Sequence, residues 1–175
     1  DVDYFDALRK AQALLEKFQE NHAENKHIAD LYFEMAILED CQYYVEFMHP
    51  GKSEEYIAKA IDLRKNEPQE DYCDYYYIQG CIFKNAGKYR EALEAYHIFV
   101  SNYEMTESAA RNMAQCHEAL EEWQEAINLY NTVLRLNPEH ANANRQILDL
   151  YKKIDNQKDS IPSLQKALPY ADRQI

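Results

Sequence analysis

Four cationic side chains, Lys84, Arg111, Arg145 and Lys152, stand out in a chain of 175 residues with 31 acidic and 19 basic ones. A guanidinium grips a carboxylate through two parallel N–H···O bonds, whereas an ammonium meets it as a point charge. These four are therefore the candidates for holding acidic groups of a ligand. Tyr77, Cys81, Asn112, Gln115 and Asp149 fall beside them and complete the candidate binding set. The carboxamide of Asn112 is of the kind that hydrogen-bonds any extended backbone.

Catalytic chemistry finds no comparable set. There is no Gly-rich phosphate loop, no Gly-x-Ser-x-Gly and no His-Glu-x-x-His. The six histidines are scattered, and the cysteines at 41, 73, 81 and 116 form no Cys-x-x-Cys. The expectation is a non-catalytic chain without catalytic residues, metal or cofactor. Unpaired cysteines on helices behave as small apolar residues and point to a reducing, cytoplasmic compartment. The net charge of −12 disfavours nucleic acid and anionic lipid, which are bound by neutralising phosphates with Lys and Arg. No apolar run approaches the ~20 residues of a membrane span, so no membrane insertion is expected. The start at Asp1 without a methionine or signal peptide reads as a mature product or an excised fragment.

What must position the candidate residues is an internal repeat. Tyr76, Gly80, Phe83, Gly87, Tyr89, Ala92, Tyr96, Phe99 and Val100 return 34 residues later as Ala110, Ala114, His117, Glu121, Trp123, Ala126, Tyr130, Val133 and Leu134. A period between about 20 and 50 residues marks stacked supersecondary units. Three glycines and five prolines, against abundant Ala, Leu, Glu, Lys and Gln, make those units helical. The small residue of the first helix, the aromatic three residues on, the turn glycine and the Ala-x-x-x-Tyr of the second helix resemble the tetratricopeptide repeat family. The resemblance implies an all-α, right-handed solenoid of antiparallel helix pairs, about nine helices in all. Two clear repeats span 73–106 and 107–140. Residues 1–72 read as a half repeat plus an atypical helix pair, and 141–175 as a degenerate terminal repeat with Leu148 in the small position and Gln157 for the aromatic.

Several local features follow. A helix over 28–48 is expected to end at His49-Pro50-Gly51, with Ser53 capping the next one. The acidic stretch Glu67–Asp71 is the place for a kink. Gly87 is expected to supply a left-handed corner that Glu121 must manage without glycine's freedom. Of Tyr72, Tyr75, Tyr76 and Tyr77, one or two should be core and the others surface or groove, because four rings at one helix entry spread over all faces. His117, in the aromatic position of its repeat, is expected to pack rather than react.

The functional surface that the resemblance implies is a concave face lined by first helices, where a peptide or partner helix lies. The reading is thus a protein–protein interaction scaffold whose partner is a protein or peptide, acidic if the four cations meet it. A small acidic chaperone similar to three-repeat secretion chaperones, and a structural self-assembly unit, are the alternatives. The family's best-known mode, a carboxylate clamp on a chaperone tail, needs a basic residue and an asparagine, then an asparagine, then two basic residues. Here those places hold Tyr77 and Cys81, Asn112, then Asn142 and Gln146, a single match in five, so that adaptor role is not expected. Ile161, Leu164 and Leu168 form one apolar side of a last helix and suggest a weak homodimer through it.

Overall fold

The computed structural model describes residues 4–20, 25–40, 51–140 and 142–156, and divides into two compact units between Met105 and Thr106. Among the described residues every regular element is helical. The first unit holds α1 (Tyr4–Glu20), α2 (Asn25–Glu39), α3 (Lys52–Arg64), α4 (Cys73–Asn85) and α5 (Tyr89–Asn102). The second holds α6 (Glu107–Ala119), α7 (Trp123–Leu136) and α8, residues 142–156. The ninth expected helix and its Ile161, Leu164 and Leu168 stripe lie outside the described residues. No described helix is long and apolar enough to cross a membrane.

The pairs α2–α3, α4–α5 and α6–α7 pack side by side, and short connections reverse the chain within α4–α5 and α6–α7. Those two corners close identically. The Gly87 and Lys88 amides bond back to Lys84 O and Phe83 O at 3.0 and 2.8 Å, and the Glu121 and Glu122 amides to Glu118 O and His117 O at 3.1 and 2.9 Å. The residue at the corner must be left-handed for both bonds to form, and φ is 76° at Gly87 and 60° at Glu121. Glu121 adopts the strained conformation that its glycine counterpart takes without cost.

Close approach within α4–α5 rests on Gly80. A Cβ there would lie 2.5 to 2.8 Å from three ring atoms of Tyr96, whose side chain is wholly buried. The ring occupies the space a side chain would need, and being enclosed it has nowhere to go. Ala114 and Tyr130, one period later, are likewise buried, at 0% and 2% exposure.

Two local expectations are corrected, the Ser53 cap and the spread of the tyrosines. α3 begins at Lys52 behind a left-handed Gly51, so Ser53 is a buried first-turn residue and not the cap. The stretch after α3 forms a 3-10 turn, Gln69–Tyr72. Tyr72, Tyr75 and Tyr76 are all buried and only Tyr77 is half-exposed, because Arg64, itself buried, gives their rings a cation to pack on. Its guanidinium lies 5.1 Å from the Tyr72 ring and 5.4 Å from that of Tyr75 while bonding Glu67 at 2.7 Å. Tyr75 donates to Asp30 Oδ1 at 2.5 Å and stacks on Phe33, fixing α4 against α2. Of the expected 28–48 helix, α2 carries the part up to Glu39, and 41–50 lie outside the described residues.

The corner geometry makes opposite predictions for two equivalent positions. Gly87→Ala should destabilise by about 1 kcal/mol although nothing lies within 4 Å of the new Cβ, because the cost is conformational. Glu121→Gly should stabilise by up to about 1 kcal/mol by relieving the same strain. Urea midpoints of the two variants, shifted in opposite directions, are the check.

Candidate functional site

The second repeat differs from the first where the first is tightly filled. In α4 the ring of Tyr77 lies against Tyr96 and Phe99, at centroid distances of 5.8 and 5.2 Å. One period on, these three positions hold Arg111, Tyr130 and Val133. An aromatic filler has been replaced by a guanidinium, and its neighbour by a smaller side chain. A polar cavity of about 150 Å³ lies there, lined by Arg111, Gln115, Tyr130, His140, Asn142 and Gln146. The Nε of Arg111 is fully buried and has no hydrogen-bond partner. A guanidinium carries five N–H donors and no acceptor, so this is a buried donor left without an acceptor among the described residues.

Tyr130 connects the core to this cavity. Its ring is buried, and its hydroxyl donates to Glu118 Oε1 at 2.5 Å. Burial, and then the Glu118 carboxylate, hold the phenol well above its ordinary pKa against the opposing pull of Arg111. It is therefore a neutral donor at any physiological pH. A second hollow of about 380 Å³ shares Gln115, Tyr130 and Gln146 with the first and adds Glu118 and Ala119.

The wall beyond Arg111 is held by a network at the start of α8. Asn137 donates to Glu107 Oε2 at 3.0 Å, and His140 Nδ1 accepts the Ala143 amide at 3.1 Å. Accepting at Nδ1 leaves the proton of the neutral ring on Nε2, which faces Glu107 Oε1 at 3.5 Å. The ring thus caps α8 with one nitrogen and tethers it to α6 with the other. Thr106 caps α6 by accepting from the Ala109 amide at 3.1 Å.

Of the nine residues singled out by sequence, Arg111 and Gln115 come together in the cavity. Asn112 is buried, 7% exposed, on the same helix. Arg145 and Lys152 are exposed along α8, where Lys152 pairs with Asp149 at 3.0 Å. That pairing holds the Asp149 carboxyl below the usual range. In the first unit, Tyr77 is part of the ring cluster, and Cys81 Sγ accepts from the Tyr96 hydroxyl at 3.4 Å. Burial holds the Cys81 thiol above its ordinary pKa against the opposing hydrogen bonds of Tyr96 and Tyr77 and the charge of Lys84, so it is no nucleophile. Lys84 is half-buried near Asp40, whose carboxyl is nevertheless raised by burial. Tyr130, His140, Asn142 and Gln146 line the cavity but were not among the nine. Tyr130 has a polar atom that a core assignment hides, while Asn142 and Gln146 fall on the same expected first-helix face as Arg145. His117 lies with Nδ1 2.6 Å from Glu122 Oε2, a packed, paired histidine. Among the described residues no three His, Cys, Asp or Glu converge to hold a metal ion.

The tetratricopeptide repeat family model matches residues 77–141. No curated protein matches at the sequence level. Among solved structures, MamA is 16% identical with a TM-score of 0.69, over 98% of this chain and 91% of that one. A MamA fragment from Desulfovibrio magneticus RS-1 is 13% identical with a TM-score of 0.62, over 97% of each chain. The first repeat domain of Spaghetti (RPAP3), solved bound to the HSP90 peptide SRMEEVD, is 15% identical with a TM-score of 0.60, over 74% of this chain and 95% of that one. At these identities the structural likeness is one of fold.

The cavity carries its own stability prediction. Tyr130→Phe keeps the buried ring and removes the hydroxyl, leaving Glu118 without its donor, and should cost about 1 kcal/mol, against about 3 kcal/mol for Tyr130→Ala. Thermal unfolding of the two variants separates packing from the hydrogen bond. Over residues 77–141 the helix pairs match the tetratricopeptide repeat model, and the chain's likeness to that family is shown over those residues.

Proposed function

We propose that this chain is a non-catalytic protein-interaction module that captures a segment of a partner protein along the face of its first helices, with Arg111 as the anchor. The observation that carries the reading is the buried, unpartnered Nε of Arg111 at the edge of a cavity otherwise lined by amides, a phenol and an imidazole. Such a wall offers donors and acceptors suited to a peptide backbone and one fixed cation suited to a carboxylate. The repeat domain of Spaghetti in complex with a peptide shows that helix pairs of this fold serve such a role in another protein. Recognition here would use a different set, since Tyr77, Cys81 and Gln146 stand where a carboxylate clamp needs other residues. Asn112, Gln115, Arg145, Asp149 and Lys152 are the further proposed contacts in the second unit, with the exposed Arg145 and Lys152 as rim contacts, and Tyr77, Cys81 and Lys84 are the proposed contacts in the first. A cytoplasmic setting fits Cys73, Cys81 and Cys116, which are thiols rather than disulfides.

The reading predicts unequal effects of two arginines. Once affinity capture has identified a partner and its binding segment, calorimetry should show Arg111→Ala weakening that segment at least about ten-fold, the loss expected when a buried charged donor is deleted. Arg145→Ala, at an exposed rim, should change affinity by no more than about three-fold. An unchanged affinity for Arg111→Ala contradicts the proposal.

A further inference from the structure

The two hollows of the second repeat share a wall but not a charge. Arg111 lines only the smaller one and Glu118 only the larger, with Gln115, Tyr130 and Gln146 common to both. Arg111 and Glu118 stand on one helix, seven residues apart in sequence, which places their backbones about 10 Å apart along its axis. They do not neutralise one another directly, because Tyr130 lies between them. Its hydroxyl is committed to Glu118 Oε1, and its phenol also feels the Arg111 charge. That single hydroxyl uses one of roughly four acceptor positions on the Glu118 carboxylate. The shared wall of two carboxamides and a phenol is neutral and able both to donate and to accept.

We propose that this site is dipolar. It accepts an extended segment carrying an acidic side chain at Arg111 and a basic side chain at Glu118, and the pair fixes the direction in which the segment lies. The inference rests on the segment-capture reading and adds to it the chemistry and polarity of what is captured. An extended segment in the polyproline-II form has three residues per turn and rises about 3.1 Å per residue, so side chains three positions apart lie on one side about 9 Å apart, which is the spacing the two charges need. Opposite charges facing complementary partners give orientation more than affinity, since the reversed segment meets like charge at both ends. An acidic segment alone would satisfy Arg111 and be repelled by Glu118, which sets this site apart from a receptor for uniformly acidic peptides.

The test uses the full chain and three capped hexapeptides, acetyl-SESSKS-amide, acetyl-SKSSES-amide and acetyl-SQSSQS-amide, followed by nitrogen-15 NMR of the Arg111 Nε–H and of the Gln115 and Gln146 amides. One of the two charged orders should bind at least about ten-fold more tightly than the other and than the neutral peptide. Arg111→Gln should abolish the advantage of acetyl-SESSQS-amide over the neutral peptide, and Glu118→Gln that of acetyl-SQSSKS-amide, each without affecting the other. Both variants are first required to keep the wild-type amide spectrum away from the site. Equal affinity for both orders overturns the proposal, and so does equal affinity for the neutral peptide or a loss in Arg111→Gln that ignores peptide charge. Absence of binding by all three peptides also overturns it. The calorimetry on the partner's own segment still decides segment capture separately.

Discussion

The structure depends on a side chain that is missing. Gly80 leaves open the space that the Tyr96 ring fills, so that α4 and α5 approach until ring and backbone touch. Close packing of this kind tolerates neither an added methyl nor a lost ring, because an enclosed aromatic has no alternative rotamer to adopt. The corners at Gly87 and Glu121 then hold each pair in register through the same two backbone bonds. That the second corner accepts a strained glutamate shows which demand is stronger. Closing the pair outweighs the local cost of roughly 1–2 kcal/mol for a left-handed non-glycine residue.

The same scaffold explains how a site arises without a new fold. In both repeats the second-helix tyrosine buries its ring and sends its hydroxyl to the first helix, to Cys81 in one case and to Glu118 in the other. What changes is the shell around it. Tyr77 and Phe99 pack against Tyr96, whereas beside Tyr130 Arg111 lines a cavity. Arg111 and Glu118 stand beside the buried Tyr130, so the proposed recognition would be built on packed helices rather than on loops.

The period was legible because packing imposes it. The small and aromatic positions cannot drift without breaking the pair, and so they surface in the sequence as a 34-residue register. Arg111 and Gln115 were legible as face residues for the same reason. The tyrosines at 72–76 were misjudged because their burial depends on Arg64, a tertiary partner that no local pattern names. Ser53 looked like a cap on residue type alone, yet the backbone turned two residues earlier at Gly51. The cavity itself was not legible, since it is the difference between two repeats and requires Asn142 and Gln146 from beyond them. Asn112 stands on the expected helix, but its 7% exposure makes it more a part of the wall than of the surface.

The claim that an absent side chain sets the helix spacing is tested most directly by a double-mutant cycle on Gly80 and Tyr96. In the wild type, Gly80→Ala should destabilise by about 1–3 kcal/mol through overpacking against the ring. In a Tyr96→Ala background the obstruction is gone, and the same change should stabilise by about 1 kcal/mol through the better helix propensity of alanine. Opposite signs in the two backgrounds are the predicted result of the urea unfolding curves. The same sign and size in both would mean that Gly80 and Tyr96 act independently, and the account would fail at its base.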